Sequence, residues 1–218
     1  MISVAPEHID ERSECPSGAF VRKRLLIVDD HPAVRAGLRE LLGGEGEFEV
    51  VAAHATADAA MQVAERERID VAVVDYQLNG RNGLWLSRKL KRLPQPPAVL
   101  IYSAYADGVL AAAAVIAEAD AIISKGSLGS ELCEAVRAVA SGRRLLPPLP
   151  PRLADSLRRR LDHQEQAIFG LLLAGSEPAE VAATLGLSAA DLESRLWQML
   201  RRLEALPGQA HDDHAQRR

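Results

Sequence analysis

Five side chains in the first two thirds of the chain have the types needed to place a phosphoryl group on a carboxylate. The acidic pair Asp29-Asp30 follows the apolar run Leu25–Val28, and Asp75 follows the run Val71–Val74. A hydroxyl and an amine follow two later apolar runs, as Ser103 and Lys125. Carboxylates held close together repel one another, and a hard divalent ion such as Mg2+ would relieve that repulsion. A lysine and a hydroxyl nearby would bind the phosphoryl oxygens.

The positions of these side chains depend on the elements that carry them, and the sequence alternates between short apolar runs and amphipathic segments. The runs are largely uncharged, which is typical of strands buried on both faces. They are Leu25–Val28, Phe48–Ala53, Val71–Val74, Ala98–Tyr102 and Ala121–Ile123. We expect helices over about residues 32–42, 56–66, 84–92, 107–118 and 128–140. Five such units predict a parallel sheet with right-handed crossovers and helices on both faces.

In a parallel sheet, the carboxyl ends of the strands share one edge, and ligands bind there. The acids, Ser103 and Lys125 all follow predicted strands, so we expect them to form one site at that edge. Two simpler interpretations exist, because an Asp pair after a strand can be a turn or a helix cap. A single lysine after a strand is commonly solvated. The occurrence of all five groups at strand ends favours the common site.

The 218-residue chain contains a proline-rich break that predicts two domains. Residues 141–152, SGRRLLPPLPPR, include four prolines between Pro147 and Pro151, and such a run favours extended polyproline geometry. The expected segments are a flexible arm over 1–22, a first domain over 23–140, this semi-rigid linker, a second domain over 153–206 and a disordered tail over 207–218.

Composition excludes several classes of protein. Hydrophobic residues make up 48% and charged residues 26%, as in ordinary soluble domains. A net charge of -4 excludes a strongly basic nucleic-acid coat but leaves room for a local basic face. Two cysteines are too few for a disulfide scaffold or a cysteine-rich zinc site. The low cysteine count also favours a reducing cytoplasm. No uncharged apolar stretch approaches the ~18–20 residues of a membrane span, so we expect no membrane association.

Four motifs occur in order over about residues 23–140, and they resemble the receiver domain of NarL/FixJ-type two-component response regulators. The motifs are LLIVDDHPAVRAGL, VAVVDYQLNGRNG, VLIYSAYAD and AIISKGS. The resemblance implies an α/β fold, a flavodoxin-like doubly wound five-stranded parallel sheet of order 2-1-3-4-5. It also implies that a sensor histidine kinase phosphorylates Asp75.

The resemblance assigns roles to the other residues of the site. Asp30 would bind Mg2+ directly and Asp29 would bind it through water, while Asp75 and the backbone carbonyl of Gln77 complete the metal shell. Ser103 would follow the phosphoryl group, and Lys125 would pair with it. The sequence departs from the family pattern at Asn79 and Gly126, where proline is usual, and at Ile122, where an aromatic residue usually reports phosphorylation.

The second domain resembles a LuxR-type helix-turn-helix, on the motif EPAEVAATLGLSAADLESRLWQMLRRLEAL. We expect helices over about residues 153–160, 164–174, 178–185 and 189–205, the last two being a support helix and a recognition helix. The all-α second domain would read DNA through exposed side chains of the recognition helix. These are Ser194, Arg195, Gln198, Arg201 and Arg202.

The recognition helix is more acidic than this family predicts. Asp191, Glu193 and Arg195 stand where Thr, Lys and His are usual, and acidic residues outnumber basic ones by seven to six over residues 157–206. Asp191 also forms a capping-box pattern with Ser188. Glu193 would repel phosphates, accept a hydrogen bond from a cytosine amino group, or be solvated.

Three hypotheses follow from these residues. The first is a response regulator, a signalling switch rather than an enzyme, whose phosphorylation controls homodimerisation and DNA binding. The second keeps phosphorylation but makes the second domain a protein-interaction module that does not bind DNA. The third is an autonomous enzyme such as a phosphatase, and no further nucleophile, phosphate loop or zinc motif supports it.

Overall fold

The computed structural model describes residues 21–104 and 107–204 of the chain. The elements of the first domain are β1 (Lys23–Val28), α1 (Pro32–Gly43), β2 (Phe48–His54), α2 (Ala57–Ala64), β3 (Val71–Asp75), α3 (Gly83–Leu90), β4 (Ala98–Ser103), α4 (Gly108–Ile116), β5 (Ala121–Ser124) and α5 (Gly129–Ala140). Four helices follow them, α6 (Pro151–Arg158), α7 (His163–Leu173), α8 (Pro178–Leu185) and α9 (Ala189–Glu204).

The five strands form one parallel sheet in the order β2-β1-β3-β4-β5, which confirms the predicted doubly wound fold. Successive side chains of a strand point to opposite faces, and β1 shows the consequence. Leu25 and Ile27 pack with α1 and α5 on one face, whereas Leu26 and Val28 pack with α2, α3 and α4 on the other. All five residues of β3 and the centre of β1 are buried, and these positions are apolar except for Asp75 at the end of β3.

The helix boundaries follow local capping chemistry. The side chains of Thr56, Asn82 and Asp107 each accept a hydrogen bond from a backbone N–H of the helix that they precede. Helix α6 begins at Pro151, two residues before the predicted start, because proline suits the first turn of a helix. Before it, Leu145 forms a parallel β-bridge with Ala121 and so extends the sheet edge within the expected linker.

Helix α4 is apolar on all sides because it is covered on all sides. Its sequence GVLAAAAVI lies between the sheet and the C-terminal helices, and it contacts α6, α7 and α9. The contact with α6 is close enough that a β-carbon at Gly108 would lie 2.3 Å from Leu153 Cδ2. The two parts of the chain therefore share a continuous hydrophobic core in this structure.

Among the helices that the structure describes, none has both the length and the apolar character needed to cross a membrane. The tail predicted over residues 207–218 lies outside the described residues, as does nearly all of the arm predicted over 1–22. The domain limits at residues 140 and 153 stay predictions.

Candidate functional site

Three carboxylates meet at the carboxyl edge of the sheet, where the sequence predicted them. Asp29 and Asp30 follow β1, and Asp75 is the last residue of β3. One side-chain oxygen of each acid and a ring nitrogen of His31 all lie within 4.8 Å of one another. Asp29 and Asp75 are almost sealed from water, at 1% and 3% exposure. Burial of two adjacent carboxylates requires compensating positive charge.

Lys125 supplies part of that charge. Its Nζ lies 2.7 Å from Asp29 Oδ2 and 2.8 Å from Asp75 Oδ2, so it bridges the two buried acids. Burial alone would lower the pKa of Lys125, but the hydrogen bonds with Asp29 and Asp75 outweigh it and raise the pKa. Burial raises the pKa of Asp75, and Lys125 opposes that shift. The lysine is therefore held charged between two carboxylates.

The donor set fits a hard divalent cation. Three carboxylates and one lysine leave the site with two uncompensated negative charges when all are ionised, and the available atoms are mostly oxygens. The backbone N–H of Gln77 donates to Asp75 Oδ1 at 3.2 Å, which fixes one oxygen of the carboxylate. The ligand role of the Gln77 carbonyl stays a prediction.

Two contacts to Asp30 were not foreseen from the sequence. His31 Nδ1 lies 2.7 Å from Asp30 Oδ1, and Asn79 Nδ2 donates to Asp30 Oδ2 at 2.8 Å. Asn79 stands where the family usually has proline, and a proline side chain could not donate this bond. The departure at residue 79 therefore adds a contact to the acid that was predicted to bind the metal directly.

The pairing of β4 with β3 and β5 places Ser103 and Lys125 at the edge of the sheet where Asp75 lies. Ser103 is buried at the end of β4, and its carbonyl accepts a hydrogen bond from the backbone N–H of Lys125 at 2.8 Å. Lys125 Nζ also lies 5.8 Å from the centroid of the half-buried Tyr102 ring. Ile122, in the usual aromatic position, is 7% exposed and packs in the core. The structure thus brings the three acids and Lys125 together and places Ser103 at the same edge of the sheet.

Helix α3 begins directly against the backbone of the site. The N–H of Gly83 donates to the Tyr76 carbonyl at 2.9 Å. A β-carbon at Gly83 would lie only 2.3 Å from the Asp75 carbonyl oxygen. Glycine permits this approach, so the first turn of α3 is fixed against the residue predicted to be phosphorylated.

The predicted DNA-binding residues lie apart from the acidic site, on α9. Leu192, Leu196, Met199 and Leu203 form its buried stripe, with the helical spacing expected from the sequence. Of the predicted DNA contacts, the exposed ones are Ser194, Gln198, Arg201 and Arg202.

Two of the α9 arginines already have acidic partners in α7 and its cap. Arg195 is half-buried, with Nη1 3.4 Å from Asp162 Oδ2, and Arg202 donates to the buried Glu165. The Ser188 hydroxyl accepts from the Asp191 backbone N–H at 3.1 Å and lies 2.6 Å from its carboxylate. The structural explanation for an acid at residue 191 is therefore confirmed.

Glu193 does not face solvent as a free carboxylate. Its Oε2 accepts hydrogen bonds from Arg92 Nε at 2.9 Å and Arg92 Nη2 at 2.6 Å, and also from Arg88 Nη2. Both arginines lie in or next to α3 of the first domain. Sequence reasoning missed this contact because it joins residues about a hundred positions apart with no local signal.

Comparison with known proteins supports the architecture. Curated relatives include regulators of similar length, such as the "DNA-binding transcriptional activator DevR/DosR" of Mycobacterium tuberculosis, 30% identical over 190 residues that cover 83% of this chain and 88% of that protein. The transcriptional regulatory protein UhpA of Salmonella typhimurium is 32% identical over 165 residues, covering 75% of this chain and 83% of that protein.

Solved structures agree. A two-component response regulator of the LuxR family from Aurantimonas sp. SI85-9A1 has a TM-score of 0.56 and 30% identity, and the match covers 62% of this chain and 97% of that one. The RcsB-DNA complex matches with a TM-score of 0.56 over 85% of this chain and 94% of that one, and at 21% identity it speaks for the fold alone. The family model for the response regulator receiver domain matches residues 25–137, about half of the chain. The chain therefore belongs to the response regulator family and carries its receiver domain.

Proposed function

We propose that the chain is a two-component response regulator in which Asp75 is the phosphoacceptor. The observation that carries this proposal is the buried Asp29–Asp75 pair bridged by Lys125 at the carboxyl edge of the sheet. An Asp75 carboxylate oxygen attacks the phosphorus of a kinase phosphohistidine. The P–N bond breaks, its electron pair stays on the imidazole, and an acyl phosphate forms.

Each neighbouring residue has a part in that reaction. Asp29, Asp30, Asp75 and the Gln77 carbonyl would hold Mg2+, which when bound neutralises charge on the phosphoryl oxygens. Lys125 is already within 2.8 Å of Asp75, so it can pair with the phosphoryl oxygens after transfer. Ser103 lies beside it at the end of β4, where its hydroxyl can donate to the same group.

The output of the switch is DNA binding by the α8–α9 helix-turn-helix. The name of the DevR/DosR relative includes DNA binding, and that match covers 83% of this chain and 88% of that protein. Arg201, Ser194 and Gln198 form the exposed side of α9, which lies opposite its buried leucines. Phosphorylation would favour a homodimer that binds two DNA half-sites. Such a regulator works in the cytoplasm, where both the kinase and the chromosome are accessible to it.

Titration onto the promoter region of its own gene over a salt series tests the DNA-binding proposal. We expect retention that weakens as salt rises, because counterions are released when phosphates are neutralised. Arg201→Ala should reduce the negative salt slope by about 1, the effect of one lost phosphate contact. Arg39→Ala removes another exposed arginine, from α1, and should leave the slope unchanged.

The charge of the second domain favours one alternative function. Seven acidic and six basic residues over positions 157–206 are unusual for a DNA reader, and a protein-interaction module would tolerate them. Retention no better than that of unrelated DNA, with and without phosphorylation, would support this alternative and rule out the DNA-binding output.

A further inference from the structure

An ion cluster joins the receiver domain to the recognition helix, and the proposed function has no role for it. Arg88 lies on α3, Arg92 lies just beyond its end, Glu118 follows α4, and Glu193 lies on α9. We name these four residues the docking cluster. Two guanidinium groups and two carboxylates give it no net charge.

The contacts within the docking cluster are dense. Arg88 Nη1 donates to Glu118 Oε1 at 2.7 Å and to the Ile116 carbonyl at 2.9 Å, while Arg88 Nη2 donates to Glu193. Arg92 Nη2 lies 2.6 Å from Glu118 Oε1 and 2.6 Å from Glu193 Oε2. Both arginines therefore share both carboxylates, and Glu193 is the one group contributed by the second domain.

Burial makes this sharing energetically important. The Arg88 side chain is 0% exposed and that of Glu193 is 29% exposed. An unpaired buried charge is costly, so removing one partner of a buried ion pair is strongly unfavourable. Burial would raise the pKa of Glu193, but Arg88 and Arg92 outweigh it and lower the pKa, so the carboxylate is ionised at neutral pH. Without Glu193, the two guanidinium groups would share Glu118 alone.

We propose that the Arg88–Arg92 pair is a carboxylate-binding surface of the receiver, and that its occupant is Glu193 of the same chain. The acid found where a DNA-contacting cation is usual is then a receiver-docking residue. This inference rests on the proposed function only in treating α9 as the DNA-reading helix. Docking covers the flank of α9 that carries Glu193, so DNA binding through that flank competes with docking.

The docking surface is physically connected to the phosphorylation site. Helix α3 starts at Gly83 against the Asp75 backbone and carries Arg88 on its second turn. Helix α4 follows β4, which ends at Ser103, and leads to Glu118. The segments that follow β3 and β4 thus carry the three receiver residues of the docking cluster, Arg88, Arg92 and Glu118. A shift of either segment therefore alters the surface that Glu193 contacts.

Tryptophan emission offers a direct measure of docking. The chain has 2 Trp, and both Trp85 and Trp197 line a cleft of about 610 Å³ between α3 and α9. We expect Glu193→Arg in the full-length protein to separate α9 from the receiver. Emission should shift to the red, and amide exchange of α9 and α4 should rise by about 10–100-fold because a buried pair is broken.

Three further variants control the experiment. Adding Arg92→Glu to Glu193→Arg restores an opposite-charge pair and should recover much of the parental emission and exchange. Glu134→Arg makes the same charge change at an exposed position of α5 and should alter neither. Glu193→Gln keeps the side-chain shape and should give a smaller shift in the same direction, which keeps the test valid if charge reversal prevents folding.

The outcomes separate docking from DNA binding. Parental emission and exchange in both Glu193→Arg and Glu193→Gln would overturn the docking proposal, whatever their affinity for DNA. An opened Glu193→Arg protein that is rescued by Arg92→Glu supports docking. If that opened protein retains no DNA, the docking proposal stands and the DNA-binding output fails.

Discussion

Asp75→Asn abolishes Mg2+-dependent incorporation of phosphate from acetyl phosphate, reducing it to the level of a blank without protein. The amide nitrogen and oxygen of asparagine keep the shape of the side chain but remove the carboxylate that attacks phosphorus. The effect is the largest that we expect for any single substitution at the site, because no other group can take over the nucleophile's role in its position.

The measurement is incorporation of labelled phosphate into intact protein, with and without Mg2+. Asp58→Asn provides the matched control, because Asp58 is also an aspartate of the receiver. It lies on α2, its side chain is 71% exposed, and it pairs with Arg81. It should label at the parental rate. Labelling that survives Asp75→Asn would refute Asp75 as the phosphoacceptor. Labelling that does not depend on Mg2+ would refute the metal role of the acidic cluster.

Much of the receiver fold could be predicted because its signals are local. The apolar runs predicted all five strands, and each observed strand covers its run, with β3, β4 and β5 extending by one residue to include Asp75, Ser103 and Ser124. Strand ends in a parallel sheet share an edge, so polar residues after apolar runs necessarily meet there. Sequence reasoning reached the members of the acidic site by this route.

Contacts between distant segments could not be predicted in the same way. The bond from Asn79 to Asp30 depends on how the loop after β3 folds over the loop after β1, and no periodicity encodes it. The docking of Glu193 depends on how two domains pack. One signal was present in the sequence: GVLAAAAVI in α4 lacks a polar face, which indicates a helix covered on both sides.

The helix-turn-helix illustrates a further limit. Core positions such as Leu192 and Leu196 could be predicted from helical spacing, and both are buried. The acidic residues of α9 could be identified as departures, but their explanations differ. Asp191 is satisfied locally by Ser188, three residues away, whereas the partners of Glu193 lie in another domain. Only the first of these can be recognised from spacing.

Gly83→Ala is expected to lower the free energy of unfolding by about 1–3 kcal/mol or more, the range for forcing extra volume into a packed site. The added β-carbon would lie 2.3 Å from the Asp75 carbonyl oxygen and 3.1 Å from the Tyr76 α-carbon, and both are backbone atoms that cannot rotate away. Helix α3 and the loop after β3 must therefore separate. Labelling of Asp75 should slow as well, because its backbone moves with the loop.

Gly37→Ala is the matched control for that substitution, and we expect it to raise the free energy of unfolding rather than lower it. Gly37 lies inside α1, where an added β-carbon meets nothing within 4 Å. Alanine in a helix interior is favoured over glycine by up to about 1 kcal/mol, so this variant should unfold at a higher denaturant concentration than the parent. Equal midpoints for Gly83→Ala and the parent would show that α3 does not rest against Asp75. Since the same helix carries Arg88, such a result would also remove the physical connection between the phosphorylation site and the docking cluster.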